Sequence, residues 1–159
     1  MDKTFPEGIF PVELLAPAAD AAGRTGDYIS LKLAQRLYLI AHLTQGNAAT
    51  VALTPTQASA VAGTGAKALT NNVRIWANED TATGQALVRQ TDAKNFTTSA
   101  AVKNKVVIFE ITAGALDVAN DFDCITLVTG ASNAANITQA MAHVVPRYAQ
   151  ATAPSYITD

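Results

Sequence analysis

Apolar and polar residues alternate along several short segments of this chain, and this alternation is the pattern of half-buried β-strands. In residues 28–33, YISLKL, the side chains of Ile29, Leu31 and Leu33 fall on one face. The strongest segment is KVVIFEIT at 105–112, because β-branched and aromatic residues favour strands. Both segments predict strands that turn one face toward a core.

A second kind of segment has apolar side chains on both faces. Residues 37–44, LYLIAHLT, show it, and we expect a strand that is covered on two sides. Turn residues at 45–47 and the segment TVALT at 50–54 follow, which predicts a hairpin. Further strands are predicted at 73–77, 86–91, 95–99, 124–129 and 137–145.

Many short strands separated by turn signals predict an all-β chain with a minor helical part. The fold class is a β-sandwich or a jelly-roll-like antiparallel barrel with extended terminal arms. Two Ala-rich segments, 13–23 and 56–69, have a composition that also permits helix, so a minor helical part stays open. We predict an N-terminal arm over 1–24, a β-sandwich domain over 25–146 and an extended C-terminal tail over 147–159.

Both ends of the chain combine apolar side chains with proline. Proline disfavours helices and central strands, so these ends are expected to be extended. Apolar side chains on an extended arm are expected to be buried, either against this domain or against a neighbouring subunit. The predicted interface residues are Phe5, Ile9, Phe10, Arg147, Tyr148, Tyr156 and Ile157.

Charge is sparse and unevenly distributed. The net charge is −2 and charged residues make up 15% of the chain, with none between Arg36 and Lys67 or between Asp123 and Arg147. Such a chain lacks the basic surface that binds nucleic acid or an anionic membrane. No run of apolar residues is long enough to span a bilayer. We therefore predict no nucleic-acid partner and no membrane partner.

The segment AVAGTGAKALT at 60–70 resembles a phosphate-binding loop but lacks its essential residues. A P-loop needs Gly-Lys-Ser/Thr so that the lysine and the hydroxyl reach the phosphates and Mg²⁺. Here Lys67 follows Ala66, and Ala68 replaces the hydroxyl residue. We interpret the segment as a surface loop.

The remaining candidate sites are isolated residues or incomplete motifs. Neither His42 nor His143 is accompanied by a nucleophile-elbow motif, and the acidic run 117–123 lacks the glycine and glutamate of a Ca²⁺ loop. Cys124 is the only cysteine and lies in an apolar strand, as a buried structural thiol does; this fits synthesis in a reducing cytoplasm. Trp76 is interpreted as a core or interface residue. The sequence thus predicts no enzyme activity, no cofactor and no metal.

Several segments together resemble a known family. The segment LDVANDFDCITLVTGASNAANITQAMAHVVPRYAQAT at 116–152 is similar to small virion structural proteins of tailed bacteriophages. So are VAGTGAKAL at 61–69, WANEDTATG at 76–84 and NFTTSAAV at 95–102, and the closing PRYAQATAPSYITD looks like the C-terminal signature of that group. The resemblance covers about residues 25–159 and supplies no catalytic residue.

The resemblance implies a head decoration (cement) protein. Such a protein binds the major capsid protein on the outer surface of the head, as homotrimers at local threefold positions, after synthesis in the host cytoplasm. The alternatives are a tail or head–tail joining protein, or, from another class, a carbohydrate- or host-binding jelly-roll module in which Trp76 and the tyrosines form the platform. A hydrolase is a more distant alternative.

Overall fold

The computed structural model describes Phe5 and residues 8–84, 86–148 and 154–158. Within these ranges the chain contains strands and three short 3-10 turns, but no α-helix. The strands are β1 (Phe10–Ala19), β2 (Arg24–Thr25), β3 (Ile29–Ser30), β4 (Ala34–Gln45), β5 (Ala52–Ala58), β6 (Lys67–Ala68), β7 (Arg74–Asn78), β8 (Val88–Arg89), β9 (Phe96–Thr97), β10 (Asn104–Thr112), β11 (Cys124–Thr129) and β12 (Asn136–Pro146). The 3-10 turns are Thr81–Thr83, Ala113–Ala115 and Val118–Asn120.

The strands form two antiparallel sheets. Sheet A has the order β1-β12-β4-β10-β7-β8, and sheet B has the order β2-β11-β5-β6, with β3 added on β11 and β9 on β5. Buried apolar residues of both sheets belong to one core cluster. The all-β, antiparallel, sandwich-like fold expected from the sequence is therefore confirmed.

Strand β4 lies in the middle of sheet A, and its alternating residues form the buried and the outer face of the sheet. Its inward residues Leu37, Leu39 and Ala41 are fully buried, whereas the outward residues Tyr38 and Ile40 are half-buried. Its neighbours β12 and β10 follow the same alternation in register. Sheet A therefore has a fully buried inner face and an outer face that is only partly covered.

The hairpin predicted between the fourth and fifth strands is wrong, because β4 belongs to sheet A and β5 to sheet B. Between them the N–H of Gly46 donates to Ala135 O at 3.2 Å, and the N–H of Asn47 donates to the Asn136 side-chain oxygen at 2.8 Å. A Cβ at Gly46 would lie 2.6 Å from Ala135 O. The glycine thus lets the backbone approach the start of β12 and cross to the other sheet.

The N-terminal boundary and the helical segments also need correction. Strand β1 pairs with β12 along residues 10–19, so this stretch of the predicted arm 1–24 belongs to the sandwich. The Ala-rich segment 13–23 is strand and bend, and the segment 56–69 is strand and loop. Pro11 and Pro17 favour this outcome, because an edge strand tolerates the missing N–H and a helix interior does not.

The predicted strand at 28–33 is shorter than expected. Ile29 and Leu31 are buried, but Leu33 is 43% exposed. The N–H of Ala34 donates to Leu31 O at 3.1 Å, which closes a turn before β4 begins. This turn removes Leu33 from the buried face.

A buried carboxylate joins the two sheets at one end of the sandwich. Asp20 is fully buried, and its carboxylate accepts hydrogen bonds from Thr138 on β12 and, at 2.9 Å, from the Thr129 hydroxyl on β11. Arg24 on β2 donates to the same carboxylate through Nε at 3.2 Å and Nη2 at 3.1 Å. Buried charge is tolerated when it is paired and fully hydrogen-bonded.

We expect Asp20→Ala to lower the free energy of unfolding by about 3–5 kcal/mol, because removing one partner of a buried pair leaves the other uncompensated. Asp27→Ala is the matched control, because Asp27 is exposed and its replacement removes the same charge. Urea unfolding of both variants measures the difference. Equal stability of the two variants would contradict a structural role for Asp20.

Candidate interaction surfaces

The two ends of the described chain meet at one end of the sandwich. Phe10 begins β1 and pairs with Val144 near the end of β12. The ring of Tyr156, from the C-terminal segment, lies 6.1 Å from the Phe10 ring between centroids. The residues that the sequence singled out at opposite ends of the chain are thus brought together.

Tyr156 anchors the C-terminal segment to the domain. Its side chain is 4% exposed and belongs to the core cluster, and the N–H of Ser30 donates to Tyr156 O at 2.7 Å. The hydroxyl oxygen is buried and has no hydrogen-bond partner among the described residues. Burial raises the pKa of Tyr156. Among the described residues, apolar packing and a backbone hydrogen bond from Ser30 therefore hold the segment.

Two predicted interface residues are thus core residues of their own chain. Phe10 is 8% exposed and Tyr156 is 4% exposed, which resolves the open question of what buries them. The reason is local: β1 is an edge strand of sheet A, and its first residue covers the open end of the core.

The other predicted interface residues lie at the surface. Phe5 is 61% exposed, Tyr148 is 67% exposed and Ile157 is 55% exposed. Ile9 is half-buried and Arg147 is exposed. The remaining parts of the predicted arm and tail, at 1–4, 6–7, 149–153 and 159, lie outside the described residues.

The backbone fixes where the C-terminal tail leaves the domain. The N–H of Arg147 donates to Leu33 O at 2.7 Å, just after β12 ends. The exposed side chains at 147 and 148 therefore start from a defined point at the end of sheet A.

Phe5 lies against His143 on the outer face of sheet A. The two rings are 5.9 Å apart between centroids. His143 is half-buried, and its Nδ1 has no hydrogen-bond partner among the described residues. Burial lowers the pKa of His143, and the nearby His42 lowers it further. Both effects disfavour the charged imidazolium beneath Phe5.

An apolar row crosses the outer face of sheet A. Its four central residues, on four adjacent strands, are half-buried. The Glu13 carboxylate lies at one end of the row and the Arg89 guanidinium at the other. In register order the row is Glu13, Met141, Ile40, Ile108, Trp76 and Arg89.

The charges beside this row are largely paired. The Glu110 carboxylate forms ion pairs with Arg36 at 3.0 Å and with Arg74 at 3.5 Å. Arg89 pairs with Asp92 at 2.5 Å, and its guanidinium lies 4.9 Å from the centre of the Trp76 ring. One side of the Trp76 ring is thus covered by a side chain of the same protein, which weakens the reading of Trp76 as a stacking platform for a sugar.

Lys105 is fully buried, which no local feature of the sequence indicates. Its Nζ donates to Ser99 O at 2.6 Å and to the Ser99 hydroxyl at 3.0 Å, and Glu79 lies 4.0 Å away. Desolvation lowers the pKa of Lys105, and Glu79 partly opposes this. Because Gln45 also donates to Ser99 O at 2.9 Å, the cluster secures the loop before β10.

In the loop at 60–70, which resembles a phosphate-binding loop, the lysine forms an ion pair within the protein. Lys67 Nζ lies 2.6 Å from the Asp117 carboxylate and 3.9 Å from the centre of the Phe122 ring. Hydrogen bonds from Lys67 and Asn120 lower the pKa of Asp117. Gly63 and Gly65 have positive φ angles of 78° and 65° and shape a turn. The lysine and the first acid of the run 117–123 thus bind each other.

The other isolated candidates do not converge on one site. Asp123 pairs with Lys32 at 3.6 Å and accepts from the fully buried thiol of Cys124. Among the described residues, no group of three or more His, Cys, Asp and Glu side chains is placed to hold a metal ion. In the same part of the chain, no helix is long and apolar enough to cross a membrane.

Comparison of the chain with models of known protein families, with curated proteins and with solved structures finds no match. The family resemblance described above therefore stays a prediction.

We expect Tyr156→Ala to lower the free energy of unfolding by about 3 kcal/mol, because it empties a buried aromatic site. Tyr156→Phe is the matched control and is expected to be neutral or slightly stabilising, since the hydroxyl makes no hydrogen bond to a described residue. Denaturant unfolding measures both. A large loss in Tyr156→Phe would show that the hydroxyl has a partner.

The lowered pKa of His143 predicts that stability falls in acid. Below the ordinary value of 6.5 the unfolded chain binds a proton that the folded chain resists, so stability is lost as the pH falls through 6.5 and the loss is complete below the folded-state pKa. His143→Gln should flatten this part of the pH profile. His42→Gln, which keeps His143, should retain most of it; a profile that is the same in His143→Gln and in the parent chain would contradict the assignment.

Proposed function

We propose that the chain is a structural protein of a tailed-bacteriophage virion, which decorates the outer surface of the head by binding the major capsid protein. It acts as homotrimers at local threefold positions after synthesis in the host cytoplasm. On this proposal it is a binding protein and not an enzyme, with no nucleic-acid or membrane partner.

The observation that carries the proposal is the arrangement of the two ends. Phe10 and Tyr156 fix them to one end of the sandwich, and Phe5, Tyr148 and Ile157 present more than half of their surface to solvent. Buried anchors next to exposed aromatic and aliphatic residues suit arms that dock on a partner, since such residues are enriched in interface hot spots.

Low charge and an all-β body support the same proposal. Charged residues are 15% of the chain, and interfaces that stay assembled are depleted in charge at their centres. Threefold repetition of weak arm contacts multiplies them into strong attachment through avidity. The sandwich then serves as a fixed platform for the arms.

We expect the triple variant Phe5→Ser, Tyr148→Ser and Ile157→Ser to fold normally and to bind stripped heads at least about 100-fold more weakly, because hot-spot side chains contribute roughly 1–2 kcal/mol each. Co-sedimentation with heads that lack the protein measures binding. Deleting whole arms is a poorer test, because it also removes core residues.

The matched control replaces three exposed apolar residues elsewhere, Leu87→Ser, Val102→Ser and Val118→Ser, which are 46%, 54% and 56% exposed. This control is expected to bind like the parent chain. Unchanged binding of the arm variant, or absence of the protein from purified virions, would refute the proposed function.

A further inference from the structure

A serine of an exposed loop lies against the fully buried lysine of β10. Ser99 begins a run of exposed residues, 99–104. The Lys105 side chain belongs to the inward row of β10, together with the core residues Val107 and Phe109. Its Nζ lies 3.0 Å from the Ser99 hydroxyl oxygen. A serine that solvent reaches is therefore hydrogen-bonded to an amine that is shielded from solvent.

We propose that Ser99 is a nucleophile and Lys105 its general base, and that the hydroxyl accepts an acyl group from an activated ester. In such pairs the nucleophile and the base lie about 2.6–3.2 Å apart, and a third group orients the base. Here the third group is the Ser99 carbonyl oxygen, which binds the same Nζ at 2.6 Å. Serine paired with lysine is one of the variants of the serine nucleophile.

Three hydrogen bonds among the described residues hold the backbone of Ser99 in place. Its N–H donates to Glu79 Oε1 at 2.7 Å, and its carbonyl oxygen accepts from Lys105 and, at 2.9 Å, from Gln45 Nε2. Gln45 is buried and in turn accepts from the Thr98 hydroxyl at 2.9 Å. Reacting groups that the fold already holds in position need no further ordering when they react. The hydroxyl is thus placed beside the amine before an ester arrives.

The surroundings of the amine make its neutral form more accessible than in a free lysine. Desolvation lowers the pKa of Lys105, and the Glu79 carboxylate at 4.0 Å opposes part of this shift. The other charged side chains nearby along the adjoining loops, Asp80 and Lys103, pair with each other at 3.0 Å. Once neutral, the amine can accept the Ser99 hydroxyl proton over the distance across which the ammonium donates.

The acyl transfer balances with these groups and the ester alone. Ser99 Oγ forms a bond to the acyl carbon while its proton passes to Lys105 Nζ. The bond from that carbon to the leaving oxygen then breaks, and the proton passes from Nζ to the departing alcohol. The N–H groups of Ala100 and Ala101 make no hydrogen bond to other described residues and remain available to the developing oxyanion. One acyl group is taken up per chain, and the step does not depend on the proposed role in the virion.

The first test treats the full chain with a fluorophosphonate, which labels nucleophilic serines because Oγ displaces fluoride from phosphorus. We expect one label per chain, mapped to Ser99 by peptide mass spectrometry. It should form at least about 100-fold faster than in the urea-unfolded chain, since a positioned general base contributes roughly 10²–10⁴-fold. Ser99→Ala should lose the label. Ser132→Ala, which removes a hydroxyl that donates to Thr50 O, should keep it.

The second test separates a general base from a structural lysine. Lys105→Arg keeps a cation that donates hydrogen bonds, but a guanidinium stays protonated, so labelling should fall to the rate of the unfolded chain. Glu79→Gln keeps an acceptor for the Ser99 N–H and removes the charge that stabilises the ammonium. Its labelling at pH 7 should be at least about threefold faster than in the parent chain, and its pH profile should move to lower pH. Circular dichroism checks the fold of both variants.

Three outcomes would overturn the inference. The first is labelling of Ser99 that is no faster than in the unfolded chain. The second is a folded Lys105→Arg variant that is labelled like the parent chain. The third is a pH profile that Glu79→Gln leaves in place, and this measurement decides alone should Lys105→Arg unfold. Each would make Ser99 and Lys105 a pair that only closes the loop before β10.

Discussion

The Asp20 carboxylate is bound at once by a hydroxyl of sheet A, by a hydroxyl of sheet B and by the Arg24 guanidinium, and the way the sheets meet at that end depends on it. Apolar packing between two sheets is non-directional and permits sliding. A buried carboxylate with fixed donors does not permit sliding, because displacement of either sheet would break its hydrogen bonds and leave a buried charge without partners. The core supplies stability, and this corner supplies one register between the layers.

Most of the architecture follows from local patterns. The segments around 105–112 and 137–145 alternate over enough residues to identify their strands and to distinguish inward from outward positions, whereas 124–129 is identified as a strand by its apolar composition. Pairing between strands was harder, because turn residues at 45–47 fit both a hairpin and a crossing between sheets. The contacts of Gly46 with Ala135 and of Asn47 with Asn136, each almost ninety residues later, mark the crossing.

The sites were less predictable than the fold, because they depend on distant residues. Asp20 is one acid in an Ala-rich stretch, and nothing nearby indicates that threonines on two later strands will surround it. Lys105 resembles the polar first residue of a strand until the loop at Ser99 closes over it. Tyr156 was recognised as an apolar residue needing cover, but the cover is Phe10, at the other end of the chain.

The position of β12 between β1 and β4 has a consequence for the biogenesis of the protein. Its two neighbours are made early, and neither pairs directly with the other, so sheet A stays incomplete until residue 146 has left the ribosome. Long-range pairing of this kind is intrinsically slow and leaves strand edges open to wrong partners meanwhile. Synthesis of β12, and not of any earlier segment, is therefore the event that closes the sheet and creates its outer face.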